Sequence, residues 1–288
     1  MKKMFMAVIA LMMTISASAQ FYIYCSDGNV IKVDSISMVA PSYDETPCIG
    51  TFSVSADKQV TFSKGNLQYT QSTDTWSFAD NQYDYLGEAN IAIDADVLAD
   101  KVDLFGWSTS STNFGVSTSE VNGDYSGSFV DWGTNKIGND APNTWRTLSY
   151  DEWKYLLKNR PNANSLKGVA QVNGVNGLIL LPDSWTCPSG VTFKSGFHNN
   201  SGVDYYAAYQ TFTAAEWSKL ESAGAVFLPA TGGRYGSDVS DVQNYGFYWS
   251  ATMYNSYYAF CFYFNSDELY MNHYTRYGGQ SVRLVKDL

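Results

Sequence analysis

The stretch that decides the fold runs from Gly246 to Leu288 and reads GFYWSATMYNSYYAFCFYFNSDELYMNHYTRYGGQSVRLVKDL. Aromatic residues crowd four extended runs in it, at 247–252, 258–264, 268–275 and 280–286. Side chains alternate between two faces of a strand. In the second run one face takes Phe260, Phe262 and Phe264, and the other takes Ala259, Cys261 and Tyr263. The stretch therefore predicts a closing antiparallel sheet rich in aromatic side chains.

Two segments upstream have the pattern of capped helices, 149–159 and 213–224. Each opens with a capping box, in which a hydroxyl residue and a glutamate three residues later satisfy each other's backbone N–H groups; the pairs are Ser149 with Glu152 and Thr213 with Glu216. Pro161 prevents the first helix from continuing, and Gly224 suits the left-handed position after the second. The predicted buried stripes are Tyr150, Trp153, Leu156 and Leu157 in the first helix, and Trp217 and Leu220 in the second.

The remaining residues from Thr51 predict short strands and long loops. Hairpins are expected at 52–62 and 66–79, and buried strands at 177–181 and 225–230. The segment 81–143 is rich in Gly, Ser, Asn and Asp and carries DLFGW and DWG, so we expect long loops held by aromatic anchors. Together these patterns predict one α+β domain over 51–288, a mostly antiparallel sheet system with two flanking helices.

The N-terminal residues 1–19 have the pattern of a secretory signal peptide. Lys2 and Lys3 precede a short apolar run, and Ala17-Ser18-Ala19 forms a small-residue cleavage site before Gln20. The apolar run is too short for a membrane span, which needs roughly 20 residues. We therefore expect an exported chain, periplasmic, on the outer surface or extracellular, whose mature form does not insert into a membrane.

Residues 20–50 predict a hairpin followed by a linker. Asp27-Gly28 between two alternating runs is a strong hairpin signal, and 41–50 contain two prolines and acidic residues. Four cysteines follow the signal, at Cys25, Cys48, Cys187 and Cys261, and they allow three pairings among which the sequence does not choose. Cys25 with Cys48 is the simplest pairing, because both precede the main domain.

The charge of the chain disfavours a nucleic-acid partner. Removal of 1–19 takes away two lysines and no acid, which moves the net charge from −10 to about −12, and nucleic-acid binding needs clustered Lys and Arg. Tyrosine is abundant, with 22 copies, and charged residues make up 16% of the chain. Such a composition is more typical of a binding surface than of a housekeeping enzyme.

Seven motifs, in order along the chain, resemble the exported bacteroidetes major-paralogous-domain (FISUMP-like) proteins, which are related to the formylglycine-generating enzymes. They are GNLQY (65–69), DLFGW (103–107), WRTLSYDEW (145–153), GLILLPDSW (177–185), GAVFLPATGGRYG (224–236), GFYWSAT (246–252) and GQSVRLVKD (279–287). The resemblance covers roughly 51–288. It implies a C-type-lectin-like fold, with curled antiparallel sheets, two flanking helices and long loops that form the variable face.

The residues of the functional relatives are not all present. The enzymes of this superfamily use a pair of copper-binding cysteines near the C-terminus, whereas Cys261 is the only cysteine after Cys187. Calcium-dependent lectins carry EPN or QPD and WND triplets, and here Trp249-Ser250-Ala251 stands in the place of WND. We therefore expect no catalytic residues, no metal site and no cofactor, although a structural calcium remains an alternative.

Other polar groups suit structural roles. Asp94, Asp96, Asp100 and Asp103 lack the spacing of a calcium loop and indicate a solvated acidic loop, with loop calcium as the alternative. His198 and His273 have no ligand or nucleophile at a useful spacing and are expected at the surface or hydrogen-bonded. Arg234 and Arg283 are expected to brace loops.

Three tyrosine clusters are the functional candidates: Tyr205, Tyr206 and Tyr209; Tyr254, Tyr257 and Tyr258; and Tyr270, Tyr274 and Tyr277. The alternative is that half or more of these tyrosines lie in the core or on a sheet face. Exposed tyrosine offers a large contact area and a hydroxyl at low entropy cost. The predicted ligand-binding residues are Tyr205, Tyr206, Tyr254, Asn255, Tyr257, Asn272, Tyr274 and Arg276. They favour a non-catalytic recognition or adhesion protein whose partner is a glycan or a cell-surface protein. The alternatives are a metal-dependent enzyme like the formylglycine generators, and a structural subunit of a surface assembly in which 21–40 is the exchanged hairpin.

Overall fold

The computed structural model describes residues 21–24, 30–33, 48–90 and 100–288. By its contacts the chain divides into a unit that ends at Ser42 and a unit that runs from Tyr43 to Leu288. The second unit is mixed α+β, as the sequence predicts, and consists mostly of short strands with few helices.

The first unit contains a pair of short strands. β1 (Phe21–Tyr24) and β2 (Val30–Val33) run antiparallel, with Phe21 opposite Val33. These are the two strands of the hairpin that the sequence predicts at this position. The Asp27-Gly28 turn, Cys25, the signal segment 1–19 and most of the linker 41–50 lie outside the described residues.

Sixteen strands of the second unit are described. They are β3 (Phe52–Ser53), β4 (Gln59–Phe62), β5 (Leu67–Thr70), β6 (Thr75–Phe78), β7 (Lys101–Val102), β8 (Arg146–Thr147), β9 (Lys167–Val172), β10 (Val175–Leu180), β11 (Thr211–Phe212), β12 (Val226–Pro229), β13 (Gly233–Tyr235), β14 (Asp238–Ser240), β15 (Gly246–Met253), β16 (Tyr258–Phe264), β17 (Leu269–Thr275) and β18 (Leu284–Asp287). Their sheets have the orders β3-β4-β18-β8, β6-β5-β7, β11-β9-β10-β12, β13-β14 and β15-β16-β17. Because β18 pairs with both β4 and β8, the last strand of the unit closes against its first residues.

The helices are α1 (Tyr150–Lys154), α2 (Asp204–Tyr209) and α3 (Ala214–Ser222). Both predicted capping boxes are confirmed, at the starts of α1 and α3. α1 continues as a π-helix over Tyr155–Asn159, and Gly224 has the left-handed φ of 94° that was expected after α3. Trp153 and Trp217 are buried, as the helical pattern predicts.

The expectation of two helices is wrong, because α2 is a third. Its sequence, DYYAAY, has no side-chain cap, since Val203 stands at the N-cap. A helix this short depends on tertiary contacts rather than on propensity. Here the contact is Tyr206, which is fully buried and donates its hydroxyl to the Asn244 carbonyl at 2.8 Å.

The two predicted hairpins before residue 80 are confirmed, and a third was missed. β3 pairs with β4, and β5 pairs with β6 through a turn in which Asp74 has a φ of 48°. The missed hairpin joins β9 to β10 through Asn173 and Gly174, with φ values of 49° and 84°. Positive φ at both turn residues is the type I′ geometry that Asn-Gly favours, so the signal was present in the sequence.

The closing sheet lies between two hydrophobic clusters. On one face of β16, Phe262 and Phe264 pack in the cluster that contains Trp153 of α1. On the other face, Ala259 and Cys261 pack in the cluster formed by the long loops. The alternation predicted for 258–264 is thus observed, and the middle of the strand is buried on both sides.

Buried aromatic side chains anchor the part of the long segment 81–143 that lies between Phe105 and Trp132. Phe105, Trp107 and Trp132 have no exposed surface. The indole of Trp132 donates to the Phe114 carbonyl at 2.8 Å, and that of Trp107 donates to the Ser250 carbonyl at 2.9 Å. These anchors confirm the predicted loops, which also include 3₁₀ turns at Gly87–Asn90, Asn122–Tyr125 and Trp132–Thr134.

The interpretation of the aspartates as a solvated acidic loop is wrong for Asp103. This carboxylate is fully buried and accepts from the Leu86 N–H at 2.9 Å and the Asn90 amide at 2.7 Å. Burial raises the pKa of Asp103 to about 6. Asp100 is exposed and accepts from the Ser72 N–H, and Asp94 and Asp96 lie outside the described residues.

An ion-pair network links the start of α1 to β18. Arg146 contacts both carboxylate oxygens of Glu152 at 2.8 Å, and also Asp287 at 2.7 Å. Burial by itself would raise the pKa of Glu152, but the hydrogen bonds from Arg146 and from the Ser149 N–H outweigh it and hold that pKa at about 2.

We expect Glu152→Gln to lower the free energy of unfolding at pH 7 by about 2 kcal/mol. Because folding lowers the pKa of Glu152, the stabilisation by its carboxylate is fully present above pH 4.5, its ordinary pKa. This stabilisation is lost as the pH falls towards 2. Urea unfolding of the wild type and the variant, measured between pH 7 and pH 2.5, should therefore give curves that converge in acid. If the free energies of unfolding of the wild type and the variant differed by the same amount at every pH, the ionised Glu152 would not be the source of the stabilisation.

Candidate functional site

Aromatic side chains cover the end of the closing sheet at which β15 turns into β16. Met253, Tyr254, Tyr257 and Tyr258 are between 37% and 55% exposed. Tyr254 stacks on His273 with ring centroids 4.0 Å apart, and Tyr258 meets the same imidazole edge-on at 5.4 Å. We call these five residues the tip surface. Contiguous exposed apolar groups of this kind mark interaction sites in soluble proteins.

A second layer of aromatic rings supports the tip surface. Phe260 contacts Tyr254 edge-on at 5.1 Å and Tyr150 at 4.2 Å. Tyr150 is the first residue of α1, and its N–H donates to the Thr252 hydroxyl at 3.0 Å. The capped start of α1 therefore supports the exposed rings through Tyr150 and Phe260.

Asn255 shapes the turn itself. Its side-chain oxygen accepts from the N–H groups of Tyr257 at 2.8 Å and Tyr258 at 2.9 Å. The N–H groups of Tyr254 and Asn255 both donate to the Tyr258 carbonyl. Asn255, a predicted ligand-binding residue, thus uses its carbonyl oxygen on the backbone and leaves its NH₂ group at the exposed turn.

Arg276 ties the tip to the long loops. Its guanidinium donates to the carbonyls of Tyr125 at 3.0 Å, Gly127 at 3.1 Å and Asn255. It also lies 4.6 Å over the ring of Trp107. Arg276 is 1% exposed, so the expectation that it presents its charge to a ligand is wrong: both of its terminal nitrogens donate to backbone carbonyls inside the protein.

Asn272 and Tyr274 lie on the opposite face of β17 from His273, because side chains alternate along a strand. Tyr263 of β16 is 5.1 Å from Tyr270 and 6.3 Å from Tyr274, measured between ring centroids. The side chain of Asn272 hydrogen-bonds to Tyr263 and accepts from the His273 N–H at 2.8 Å. We call Tyr263, Tyr270, Asn272 and Tyr274 the aromatic face.

The tyrosines of α2 belong to neither surface. Tyr205 is 36% exposed and stacks on His198 at 4.6 Å, whereas Tyr206 is fully buried. The expectation that Tyr206 is available to a ligand is therefore wrong. His198 accepts from the Asn200 N–H at 3.0 Å.

Arg234 and Arg283 brace loops, as predicted. Arg234 is buried and donates to the carbonyls of Gly236 at 3.1 Å and Ser117 at 3.0 Å. Arg283 is buried and donates to the Gln82 side-chain oxygen at 2.7 Å. Both guanidinium groups are turned inwards, so they hold the scaffold and do not form an anion site at its surface.

The described part of the chain also contains concavities. A cavity of about 250 Å³ is lined by Thr109, Ser110, Asn113, Gly115, Ser117, Asp124 and Tyr125. It is connected to the tip through the bond from Arg276 to the Tyr125 carbonyl. A wider groove of about 560 Å³ lies between residues 190–194 and β11, and Glu216 of α3 also lines it.

The chemistry available to cysteine and acidic groups is limited in the described ranges. No group of three or more His, Cys, Asp and Glu side chains there has the arrangement to hold a metal ion. Cys48, Cys187 and Cys261 are not in disulfides, while Cys25 lies outside those ranges. Cys261 is fully buried, and burial raises the pKa of its thiol.

Over the ranges that the structure describes, no helix is both long and apolar enough to cross a membrane.

Two tip residues, Met253 and His273, were absent from the sequence-based candidates, whereas Tyr258 belonged to a predicted tyrosine cluster. The stacking of His273 under Tyr254 depends on the register between β16 and β17, in which Phe260 lies opposite His273. One sequence does not determine that register.

Comparison with protein families identifies a match between residues 198–285 and a domain of unknown function, DUF8237. No curated protein matches the chain significantly. No solved structure does so either. The matched segment begins before α2 and extends into β18, so it includes the tip surface and the aromatic face.

Proposed function

We propose that this chain is an exported, non-catalytic recognition protein that binds a glycan or a cell-surface protein through the tip surface. The observation that carries the proposal is the exposure of Tyr254, Tyr257 and Tyr258 on a turn whose backbone is held by Asn255 and Arg276. A turn that is already ordered loses little conformational entropy when it binds. Tyrosine adds a large ring and a hydroxyl to such a surface.

The C-type-lectin-like fold and the membership of the FISUMP-like group belong to the same proposal. They are supported by where the resembling motifs lie: WRTLSYDEW (145–153) contains β8 and the capped start of α1, and GFYWSAT (246–252) lies in β15. In this arrangement the motifs build the scaffold, and the long loops and the tip carry the specificity. Export is supported by the pattern of residues 1–19.

The enzymatic alternative has less support in this chain. Its relatives need two cysteine thiolates at one metal, and Cys261 is the only cysteine after Cys187. Cys261 is buried in the cluster between the sheet and the long loops, and its raised pKa favours the neutral thiol over the thiolate that binds metals. We therefore assign no catalytic residue.

The double variant Tyr254→Ala with Tyr257→Ala tests the proposal. Glycan arrays and pull-downs from surface-labelled cells identify a ligand for the wild-type protein, and its affinity for the variant is then measured by biolayer interferometry. We expect a loss of about 100-fold, because two interface tyrosines each contribute on the order of 1–2 kcal/mol. The matched control is Tyr205→Ala, since Tyr205 is an exposed tyrosine of α2 that stacks on His198.

Thermal unfolding of each variant shows whether a loss of binding reflects a loss of the fold. Equal affinity of the wild type and the double variant would reject the tip surface as the site. A folded wild-type protein that captures nothing in either screen would reject the recognition function itself.

A further inference from the structure

β17 is the edge strand of the closing sheet. It pairs with β16 in unbroken register, from Tyr258 opposite Thr275 to Phe264 opposite Leu269. On its other side no described strand is present. Edge strands present unpaired N–H and C=O groups, and proteins protect them with Lys, Pro, bulges or a covering element. The seven residues of β17 include no Lys and no Pro, and the register with β16 shows no bulge.

The register shows which backbone groups point outwards. The N–H of Arg276 donates to the Tyr257 carbonyl at 3.0 Å, and hydrogen-bonded pairs alternate along an antiparallel ladder. Residues 270, 272 and 274 therefore bond to β16, while Leu269, Met271, His273 and Thr275 direct their N–H and C=O groups outwards.

Two of the outward-pointing backbone groups already have hydrogen-bond partners. The His273 N–H donates to the Asn272 side chain at 2.8 Å, and the Thr275 carbonyl accepts from the Gly278 N–H at 3.0 Å. For the N–H and C=O of Met271 and the C=O of His273, the described chain offers no hydrogen-bond partner. These three groups form the open centre of the edge.

The aromatic face beside this edge has an acidic rim. Asp267 and Glu268 immediately precede β17, and the Glu268 carboxylate beside the Tyr270 hydroxyl raises the pKa of Tyr270 to about 12. Burial raises the pKa of Tyr274, and the negative charge of Asp241 raises it further; Asp267 adds to the effect of Glu268 on the pKa of Tyr270. The charged side chains that raise the pKa values of these tyrosines are thus carboxylates. Tyrosine rings with nearby carboxylates attract Lys and Arg through cation–π and ionic contacts.

We propose that the edge of β17 binds an extended peptide segment of a partner protein by strand addition, and that the segment carries Lys or Arg at alternate positions. Its backbone bonds to Met271 and His273, and its cationic side chains lie over the aromatic face. Charge complementarity selects this occupant: a second copy of the chain has a net charge of −10 and would bring like charges together. This site shares only His273 with the tip surface: the edge uses the backbone carbonyl of His273, whereas the tip surface uses its ring.

A synthetic peptide of four Lys-Thr repeats, acetylated and amidated, is the probe, and fluorescence anisotropy with the full mature chain is the measurement. We expect saturable binding that weakens about tenfold in Tyr270→Ala, in Tyr274→Ala and in Glu268→Gln. Methylation of alternate peptide nitrogens, which removes donors to the edge, should abolish binding. The tip variant Tyr254→Ala with Tyr257→Ala should bind the peptide as the wild type does.

Three results would overturn the proposal. Equal affinity for a Glu-Thr peptide of the same length would show that charge does not select the ligand. Full binding of the N-methylated peptide would show adhesion without strand addition. A dimer of the mature chain that resists the peptide and that Tyr274→Ala dissolves would assign the edge to a second copy. Because the probe and the variants differ from those of the tip surface, failure here and failure of the recognition function are distinguishable.

Discussion

Replacing Trp153 with alanine is expected to lower the free energy of unfolding by about 4 kcal/mol, the range found for large-to-small changes in a core. The Trp153 ring has no exposed surface and lies 4.5 Å from Phe262 and 5.8 Å from Phe62, measured between centroids. Its indole N–H donates to the Trp249 carbonyl at 3.3 Å. One side chain thereby joins α1, the closing sheet and an N-terminal strand of the unit.

Urea unfolding followed by tryptophan fluorescence and by circular dichroism gives the measurement. Trp185→Ala is the matched control, because Trp185 is only half-buried at the edge of another cluster and should cost less than half as much. Trp153→Phe retains most of the volume and should fall between the two. Equal losses for Trp153→Ala and Trp185→Ala would contradict the central place of α1 in the core.

Replacing Arg276 with methionine is expected to lower the free energy of unfolding by about 3 kcal/mol, because buried carbonyls lose their donors. Methionine fills much of the space over Trp107 but donates nothing to the carbonyls of Tyr125, Gly127 and Asn255. The tip surface should then separate from the long loops. Hydrogen exchange at the tip amides should speed up more than exchange in the middle of β16.

Arg276→Lys separates charge from geometry. A single ammonium group cannot span carbonyls on two segments as a planar guanidinium does, so the variant should recover only part of the lost stability. Full recovery by lysine would show that a buried charge is enough. A loss below about 1 kcal/mol in Arg276→Met, within the range of an ordinary hydrogen bond, would mean that other contacts hold the tip.

The parts of the fold that the sequence predicted correctly are local. The capping boxes of Ser149 and Thr213 need only residues three positions apart, and the turn at Asp74 needs only its two flanking runs. α2 escaped prediction because its burial depends on the contact of Tyr206 with residue 244, far along the chain. Short helices of this kind are determined by tertiary packing rather than by propensity.

The residues of the candidate site also divide into those predicted from local sequence and those that depend on distant contacts. Tyr254 and Tyr257 were found because a tyrosine-rich turn between two alternating runs points to an exposed hairpin end. Arg276 was predicted to be exposed to a ligand, but it is buried. Its burial requires the carbonyls of residues 125 and 127, which only the folded chain brings near. Composition indicates that tyrosines are plentiful, but the register of β16 with β17 decides which face each one occupies.

The most direct measurement of the central proposal is a nuclear magnetic resonance titration of the mature chain with its tyrosine rings labelled. The ligand is the glycan or protein that the screens select, and single Tyr→Phe variants assign the rings. The signals of Tyr254, Tyr257 and Tyr258 are expected to shift on binding while that of Tyr205 stays in place. A shift of the Tyr205 signal with unchanged signals from Tyr254, Tyr257 and Tyr258 would contradict the assignment of binding to the tip surface.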